Sequence, residues 1–122
     1  MITFAQLGRY GRLGNQLFQY AMLKSVSLAT GYEMKIPNPN EITYQNQKFL
    51  LDKFNIKCDY LTEKDMSSLN NNFIERDHSK FYPQAFYVPD GTNYHGYFQS
   101  YKYFRKFNKQ IQALKTSFTE LG

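Results

Sequence analysis

The amino-acid sequence predicts an α/β domain in which a mostly parallel sheet is flanked by helices. An apolar strand pattern at residues 2–7 leads through a glycine-rich turn into a helical pattern that ends at Gly31. A second strand pattern follows at residues 32–36, and a later strand pattern at residues 93–99 precedes another helical pattern. Strands that alternate with helices in this way are typical of a parallel sheet with helices on its faces.

The opening strand, turn and helix form the most informative stretch. Glycines stand at positions 8, 11 and 14, with Arg9 and Arg12 between them. Free N–H groups and a partial positive charge at the first turn of a helix favour phosphate, which predicts an anion site here. The alternative is a tight connection in which Gly14 eases packing and Asn15 caps the helix. The glycine spacing matches neither G-x-G-x-x-G nor G-x-x-x-x-G-K-[ST].

The middle of the chain continues the α/β pattern. Residues 32–36 predict a strand parallel to the first, which ends at Pro37, and residues 38–47 have a loop composition. Residues 49–54 fit either a short helix or a strand. Thr62, followed three residues later by Asp65, predicts the capped start of a short helix that ends at the asparagines 70–72.

The last third is predicted to hold further strands at residues 73–76, 85–88 and 93–99, with a turn at Pro89-Asp90-Gly91. Ser100 is then the expected N-cap of a final helix. Its apolar residues recur at three- and four-residue steps, and they are Phe104, Phe107, Ile111, Leu114 and Phe118. Such a stripe predicts a buried helix face.

Composition limits the partners. A chain of 122 residues fits a single domain, and its net charge of +5 favours anionic partners. The lysines are spread along the chain and no nucleic-acid-binding module is recognisable, so nucleic acid is not an expected partner. The chain contains 11 Tyr and 11 Phe, which suit cores, carbohydrate surfaces and interfaces alike.

Few residues carry reactive chemistry. Cys58 is the only cysteine, so no intrachain disulfide forms, and we interpret it as a packed thiol. His78 and His95 are the only histidines, and both are interpreted as hydrogen-bonded structural residues. No spacing typical of metal ligands, no secretory leader and no membrane-spanning stretch is visible. We therefore expect no metal, no cofactor, no membrane span and a cytoplasmic location, and we assign no catalytic residue.

Two segments resemble a known family. Residues 11–21 read G-R-L-G-N-Q-L-F-Q-Y-A, which resembles the opening motif of the α-1,2-fucosyltransferases, glycosyltransferase family 11. The shorter G-R-x-G-N-Q is similar to a motif of the protein O-fucosyltransferases. Residues 96–104 read G-Y-F-Q-S-Y-K-Y-F and resemble the family's G-Y-x-Q-S-x-K-Y-F, in which Glu is common where this chain has Tyr101. The two segments follow the family's order at about its separation.

The resemblance implies a fold, a reaction and site residues. The fold would be the N-terminal Rossmann-like domain of a GT-B glycosyltransferase, on the acceptor side. The reaction would transfer L-fucose from GDP-fucose to a glycan hydroxyl with inversion, without a required metal. By position in the motifs, Arg12, Gly14 and Asn15 would contact the donor phosphates or fucose. Tyr97 and Gln99 would lie at the acceptor surface or serve the structure.

The chain also departs from the family pattern. Family members carry, in their second half, an H-x-R-R-G-D motif that supplies most GDP-fucose contacts, and this sequence has no such motif. We therefore expect the N-terminal half only, inactive as this fragment alone. Its partners would be a nucleotide-sugar, a glycan acceptor, and either a separate C-terminal donor-domain chain or a second copy. The alternative is a non-catalytic sugar- or nucleotide-binding module; a Rossmann oxidoreductase fragment and a single-strand RNA binder fit less well.

Overall fold

The fold is built on a five-stranded parallel sheet. The computed structural model describes residues 1–7, 13–38, 58–107 and 109. The strands are β1 (Ile2–Thr3), β2 (Met34–Ile36), β3 (Asp59–Tyr60), β4 (Asn71–Ile74) and β5 (Thr92–His95). They lie in the order β3-β2-β1-β5-β4, and all the pairs are parallel. The predicted α/β fold class is confirmed.

The described residues form two α-helices. The first ends where the sequence predicts, and the second begins where the sequence predicts. Helix α1 (Leu13–Thr30) follows β1 and ends where Gly31 adopts a φ of +79°, a left-handed conformation that favours glycine. Helix α2 (Glu63–Ser68) begins after Thr62, whose side chain and that of Asp65 form a reciprocal capping box. None of the helices in the described ranges is long and apolar enough to span a bilayer.

One face of the sheet carries the apolar core. Side chains alternate between the two faces along each strand, and paired residues of neighbouring strands point to the same face. The register of the strands therefore places their apolar side chains on one face of the sheet. That set comprises Ile2, Phe4, Met34, Ile36, Phe73 and Tyr94. Buried side chains of α1 join the same cluster, among them Met22, Leu23 and Val26. This packing holds α1 beside β1.

The other face of the sheet is polar. Thr3, Asn93 and His95 share it, and the first two are buried. The Asn93 Oδ1 atom accepts a hydrogen bond from the Ala5 backbone N at 2.9 Å, and His95 Nε2 lies 2.9 Å from Asn72 Oδ1. Parallel sheets usually have two apolar faces, and here the buried polar side chains of the second face have hydrogen-bond partners in the backbone and in one another.

Several predicted element boundaries were wrong. β1 ends at Thr3 instead of extending to residue 7, and β4 begins at Asn71, so the asparagines 71 and 72 belong to a strand. The strand predicted at residues 85–88 is replaced by the 3-10 turn Pro83–Phe86. Pro83 occupies the first position of this turn, where its fixed φ is favourable, and the Ala85 N–H donates to the Tyr82 carbonyl at 3.1 Å.

The end of the described chain also differs from the prediction. β5 stops at His95 because Gly96 has a φ of +141° and Phe98 a φ of +51°, which take the backbone out of the extended region. Ser100 does act as a cap, since its hydroxyl accepts from the Lys102 N–H. Two 3-10 turns, Tyr101–Tyr103 and Arg105–Phe107, follow instead of a continuous helix. The predictions for residues 39–57 and for the stripe beyond Phe107 lie outside the described residues.

Candidate functional site

The strand order reverses between β1 and β5, and the position outside the carboxyl ends of these two strands is called the crevice below. β1 lies between β2 and β5. After β1 and α1, the chain continues to β2 on one side of β1, whereas β5 pairs with β1 on the other side. In open parallel sheets, ligands bind outside the carboxyl ends of the strands at such a reversal of strand order. Two segments flank this position: the beginning of α1, and residues 96–100 directly after β5. These are the parts of the chain that hold the two sequence motifs.

A side-chain hydrogen bond joins the motifs. The Gln99 Nε2 atom donates to the Oδ1 atom of Asn15, and the two residues are 84 positions apart. Asn15 lies inside α1 rather than before its first residue, so the interpretation of Asn15 as the helix cap was wrong. Asn15 is half-buried and Gln99 is exposed, which leaves the bonded amides at the surface of the crevice.

A second, buried contact lies behind the first. The Gln19 Nε2 atom donates to the Gly96 carbonyl oxygen at 2.8 Å, and Gln19 is fully buried. Gln16, one helical turn earlier, is fully buried as well. The buried amide of Gln19 therefore binds the first half of α1 to the segment after β5, one turn of α1 away from the surface pair of Asn15 and Gln99.

The carboxylate of Glu75 fixes the conformation of the segment after β5. Its Oε1 atom accepts from the Tyr97 N–H at 3.0 Å and its Oε2 atom accepts from the Phe98 N–H at 3.1 Å. A Cβ atom on Gly96 would lie 2.5 Å from the Glu75 Cβ atom, so only glycine fits there. The glycine of the second motif thus has a structural reason: it lets the backbone approach a buried carboxylate.

An imidazole completes this arrangement. The Nδ1 atom of His78 lies 2.5 Å from Glu75 Oε1, and its ring packs edge-on against the Tyr97 ring with centroids 4.8 Å apart. The Glu75 side chain has no exposed surface, whereas that of His78 is 53% exposed. The buried carboxylate therefore orients a partly exposed imidazole beside the second motif.

The predicted site residues fall into three groups. Asn15 and Gln99 are brought together, and Tyr97 lies two positions from Gln99, against His78. Gly14 lies in the first turn of α1. Arg12 lies outside the described residues, so its predicted contact with phosphate stays a prediction.

Sequence reasoning missed Gln19 and Glu75, and it interpreted His78 as only structural. Glu75 follows the apolar pair Phe73-Ile74, but nothing in that pattern indicates that its side chain is buried. Its partners are backbone N–H groups more than 20 residues away, at separations of 22 and 23. No local pattern reports such contacts.

Cys58 and His95 are the remaining reactive groups. Cys58 is partly buried against the core, as its interpretation as a packed thiol requires, and burial raises the pKa of its thiol to about 11, which disfavours the thiolate. Burial lowers the pKa of His95 below its usual value. Within residues 1–7, 13–38 and 58–107, no three His, Cys, Asp or Glu side chains come together as a metal site would require.

Comparisons with known proteins add no family assignment. Searches of protein-family models, of curated proteins and of solved structures found nothing that matches this chain. The resemblance to the fucosyltransferases therefore depends on the residues of the two motifs alone.

Proposed function

We propose that this chain is the N-terminal, acceptor-side part of a GDP-fucose-dependent α-1,2-fucosyltransferase-like glycosyltransferase. It would transfer L-fucose to a glycan hydroxyl with inversion, and it would require a donor-binding domain to do so. The observation that supports this most is the hydrogen bond between Asn15 and Gln99. It joins the two family-like motifs at the crevice between β1 and β5, where an α/β domain binds ligands.

The geometry suits the diphosphate of a nucleotide-sugar. α1 begins beside the reversal of strand order, and the partial positive charge at the beginning of a helix would favour a departing phosphate. Asn15 lies in the first turn of α1, and Gly14 before it presents no side chain to a ligand. An inverting displacement gains most from groups that stabilise the leaving diphosphate, so the beginning of α1 would act on the donor.

The other wall of the crevice suits a sugar. Gln99 presents an amide and Tyr97 an aromatic ring, and both groups are common in carbohydrate sites because they combine hydrogen bonding with an apolar surface. The backbone that carries them is held by Glu75 and Gln19. The donor and the acceptor would thus meet across the Asn15–Gln99 contact.

GDP binding measured by NMR tests the proposal. We expect titration with GDP to shift the backbone amides of residues 13–17 and the side-chain amides of Asn15 and Gln99. A helix terminus with one arginine supplies about 1 to 3 kcal/mol, so the dissociation constant should be about 1 mM or weaker. Gly14→Val should abolish the shifts by blocking the approach to the backbone, and Asn15→Ala should weaken them.

Gln84→Ala is a matched control, since it removes an exposed amide from the Pro83–Phe86 turn and should leave GDP binding unchanged. Shifts confined to scattered lysines, with Asn15 and Gln99 silent, would contradict the proposal. A different result would identify a non-catalytic sugar- or nucleotide-binding module. In that case GDP and a sugar bind to the chain, but no fucose is transferred when a donor domain of the family is added.

A further inference from the structure

The pair formed by Glu75 and His78 is arranged as a proton acceptor. Tyr97 N–H and Phe98 N–H can only donate, so both oxygens of Glu75 act as hydrogen-bond acceptors. The same Oε1 atom lies 2.5 Å from His78 Nδ1, which therefore carries the hydrogen of this contact. In the neutral ring, a proton on Nδ1 leaves a lone pair on Nε2.

The Nε2 atom faces no competing partner in the part of the chain that the structure describes. There, His78 makes one hydrogen bond, the one through Nδ1, and about half of its side chain is exposed. By contrast, the Nε2 atom of His95 lies 2.9 Å from Asn72 Oδ1 and 3.3 Å from Asn93 Nδ2. The Nε2 atom of His78 thus lacks the side-chain contacts that engage the Nε2 atom of His95.

The imidazole of His78 is held through its backbone, its Nδ1 atom and the edge of its ring. The flanking backbone forms a turn in which the Ser79 N–H and hydroxyl both donate to Asp77 Oδ1, at 2.9 and 2.6 Å. The Lys80 N–H donates to the Asp77 carbonyl at 3.2 Å. The ring itself is bound to Glu75 and packed on Tyr97. An imidazole fixed at its backbone, at Nδ1 and along its edge needs little reorganisation to receive a proton.

The pair lies at the same edge of the sheet as the crevice. His78 follows the carboxyl end of β4, and Tyr97 follows the carboxyl end of the adjacent β5. Tyr97, which contacts the ring, is two residues from Gln99, so their Cα atoms are at most about 7 Å apart. A ligand that spans Gln99 and Tyr97 therefore comes close to the imidazole.

We propose that the Glu75–His78 pair accepts the proton of the acceptor hydroxyl, an inference that rests on the function proposed above. The acceptor O–H bond breaks and its proton moves to Nε2, while the oxygen forms a bond to the anomeric carbon of the donor. The bond from that carbon to the phosphate oxygen breaks, and its electron pair leaves with the diphosphate. The imidazolium is stabilised by the buried carboxylate beside it.

The first measurement is the tautomer of His78 in the full chain, read from the ring nitrogen shifts by NMR. We expect neutral His78 to carry its proton on Nδ1, with Nε2 unprotonated. Glu75→Gln should remove this preference, because an amide N–H replaces one acceptor oxygen. If that variant does not fold, the wild-type measurement still decides. A neutral ring protonated on Nε2 overturns the proposal, since such a nitrogen cannot accept a proton.

Chemical modification offers a second measurement with an internal control. Diethyl pyrocarbonate acylates an unprotonated imidazole nitrogen, and the chain contains two histidines. Mass spectrometry after limited reaction should find His78 modified several-fold faster than His95, whose Nε2 is engaged and whose side chain is less exposed. Equal rates, or a faster reaction at His95, overturn the proposal.

Sugar binding separates this inference from the proposed function. Titration with the methyl glycosides of galactose, glucose and N-acetylglucosamine should shift the Nε2 resonance of His78 with at least one sugar. His95→Gln should preserve the response, and His78→Gln should weaken sugar binding. If GDP shifts the Asn15 and Gln99 amides while no sugar moves the His78 ring, the proton-acceptor role is wrong and the proposed function stands. If GDP has no effect at the crevice, the proposed function fails first.

Discussion

Gln99 donates a side-chain hydrogen bond to Asn15, and this bond joins the beginning of α1 to the segment that follows β5 across the crevice between β1 and β5. The contact brings together residues 84 positions apart. It connects two motifs that the sequence presents as separate signals.

A double-mutant cycle measures this connection. Asn15→Ala and Gln99→Ala should each lower the free energy of unfolding, and the double variant should lose less than the sum. We expect a coupling of about 0.5 to 1.5 kcal/mol, the usual net value of one hydrogen bond. Denaturant unfolding of the four proteins provides the measurement. Strict additivity would show that the two amides are not bonded in solution.

Gly96→Ala should be strongly destabilising. The new Cβ atom would lie 2.5 Å from Glu75 Cβ, and the φ of +141° is strained for any residue with a side chain. We expect a loss of about 2 kcal/mol or more from overpacking together with backbone strain.

Gly31→Ala is the matched control. Its φ of +79° is also left-handed, but no atom lies within 4 Å of the added Cβ, so only the backbone strain of about 1 kcal/mol applies. Thermal or denaturant unfolding compares the two variants. Equal losses would mean that Glu75 does not approach Gly96 as closely as described.

Tyr103→Phe should leave a backbone donor unpaired. The Tyr103 hydroxyl accepts from the Tyr82 N–H at 2.8 Å, and the ring is 1% exposed. Loss of the hydroxyl should lower the free energy of unfolding by about 1 to 3 kcal/mol. The control is Tyr101→Phe, at a ring that is 57% exposed and keeps its contact with Arg105. A Tyr103→Phe variant as stable as that control would contradict the buried hydrogen bond.

His95 should make the fold less stable in acid. Burial lowers its pKa below 6.5, so the unfolded chain binds this proton more readily than the folded chain does. The contribution of His95 to stability should therefore rise with pH below about 6.5 and level off at higher pH. The difference between wild type and His95→Gln, followed by denaturant unfolding on both sides of that pH, isolates the effect. A difference that does not change with pH would show that His95 titrates normally.

The chain alone should not transfer fucose. Its sequence lacks the H-x-R-R-G-D motif that supplies the main donor contacts in the family it resembles. Incubation with radiolabelled GDP-fucose and lactose should give no product above a protein-free blank. Product formation that disappears in Asn15→Ala would show that no separate donor domain is needed.

The sequence by itself determined the fold class and the local signals. Apolar periodicity marked α1, Gly31 marked its end, and the pair of Thr62 and Asp65 marked the start of α2, because each depends on contacts within a few residues. The motifs also marked the two segments that the bond between Asn15 and Gln99 joins. Strand boundaries were less predictable, as at Asn71 and at residues 85–88, because pairing with neighbouring strands decides them.

Only the tertiary structure decided the contents of the site. Three features of the site depend on the position of β5 between β1 and β4. They are the bond from Gln99 to Asn15, the bond from Gln19 to the Gly96 carbonyl, and the burial of the Glu75 side chain. This order of strands brings residues from distant parts of the chain within hydrogen-bond distance. Burial then makes each polar group require a partner, and a linear pattern does not record which group supplies it.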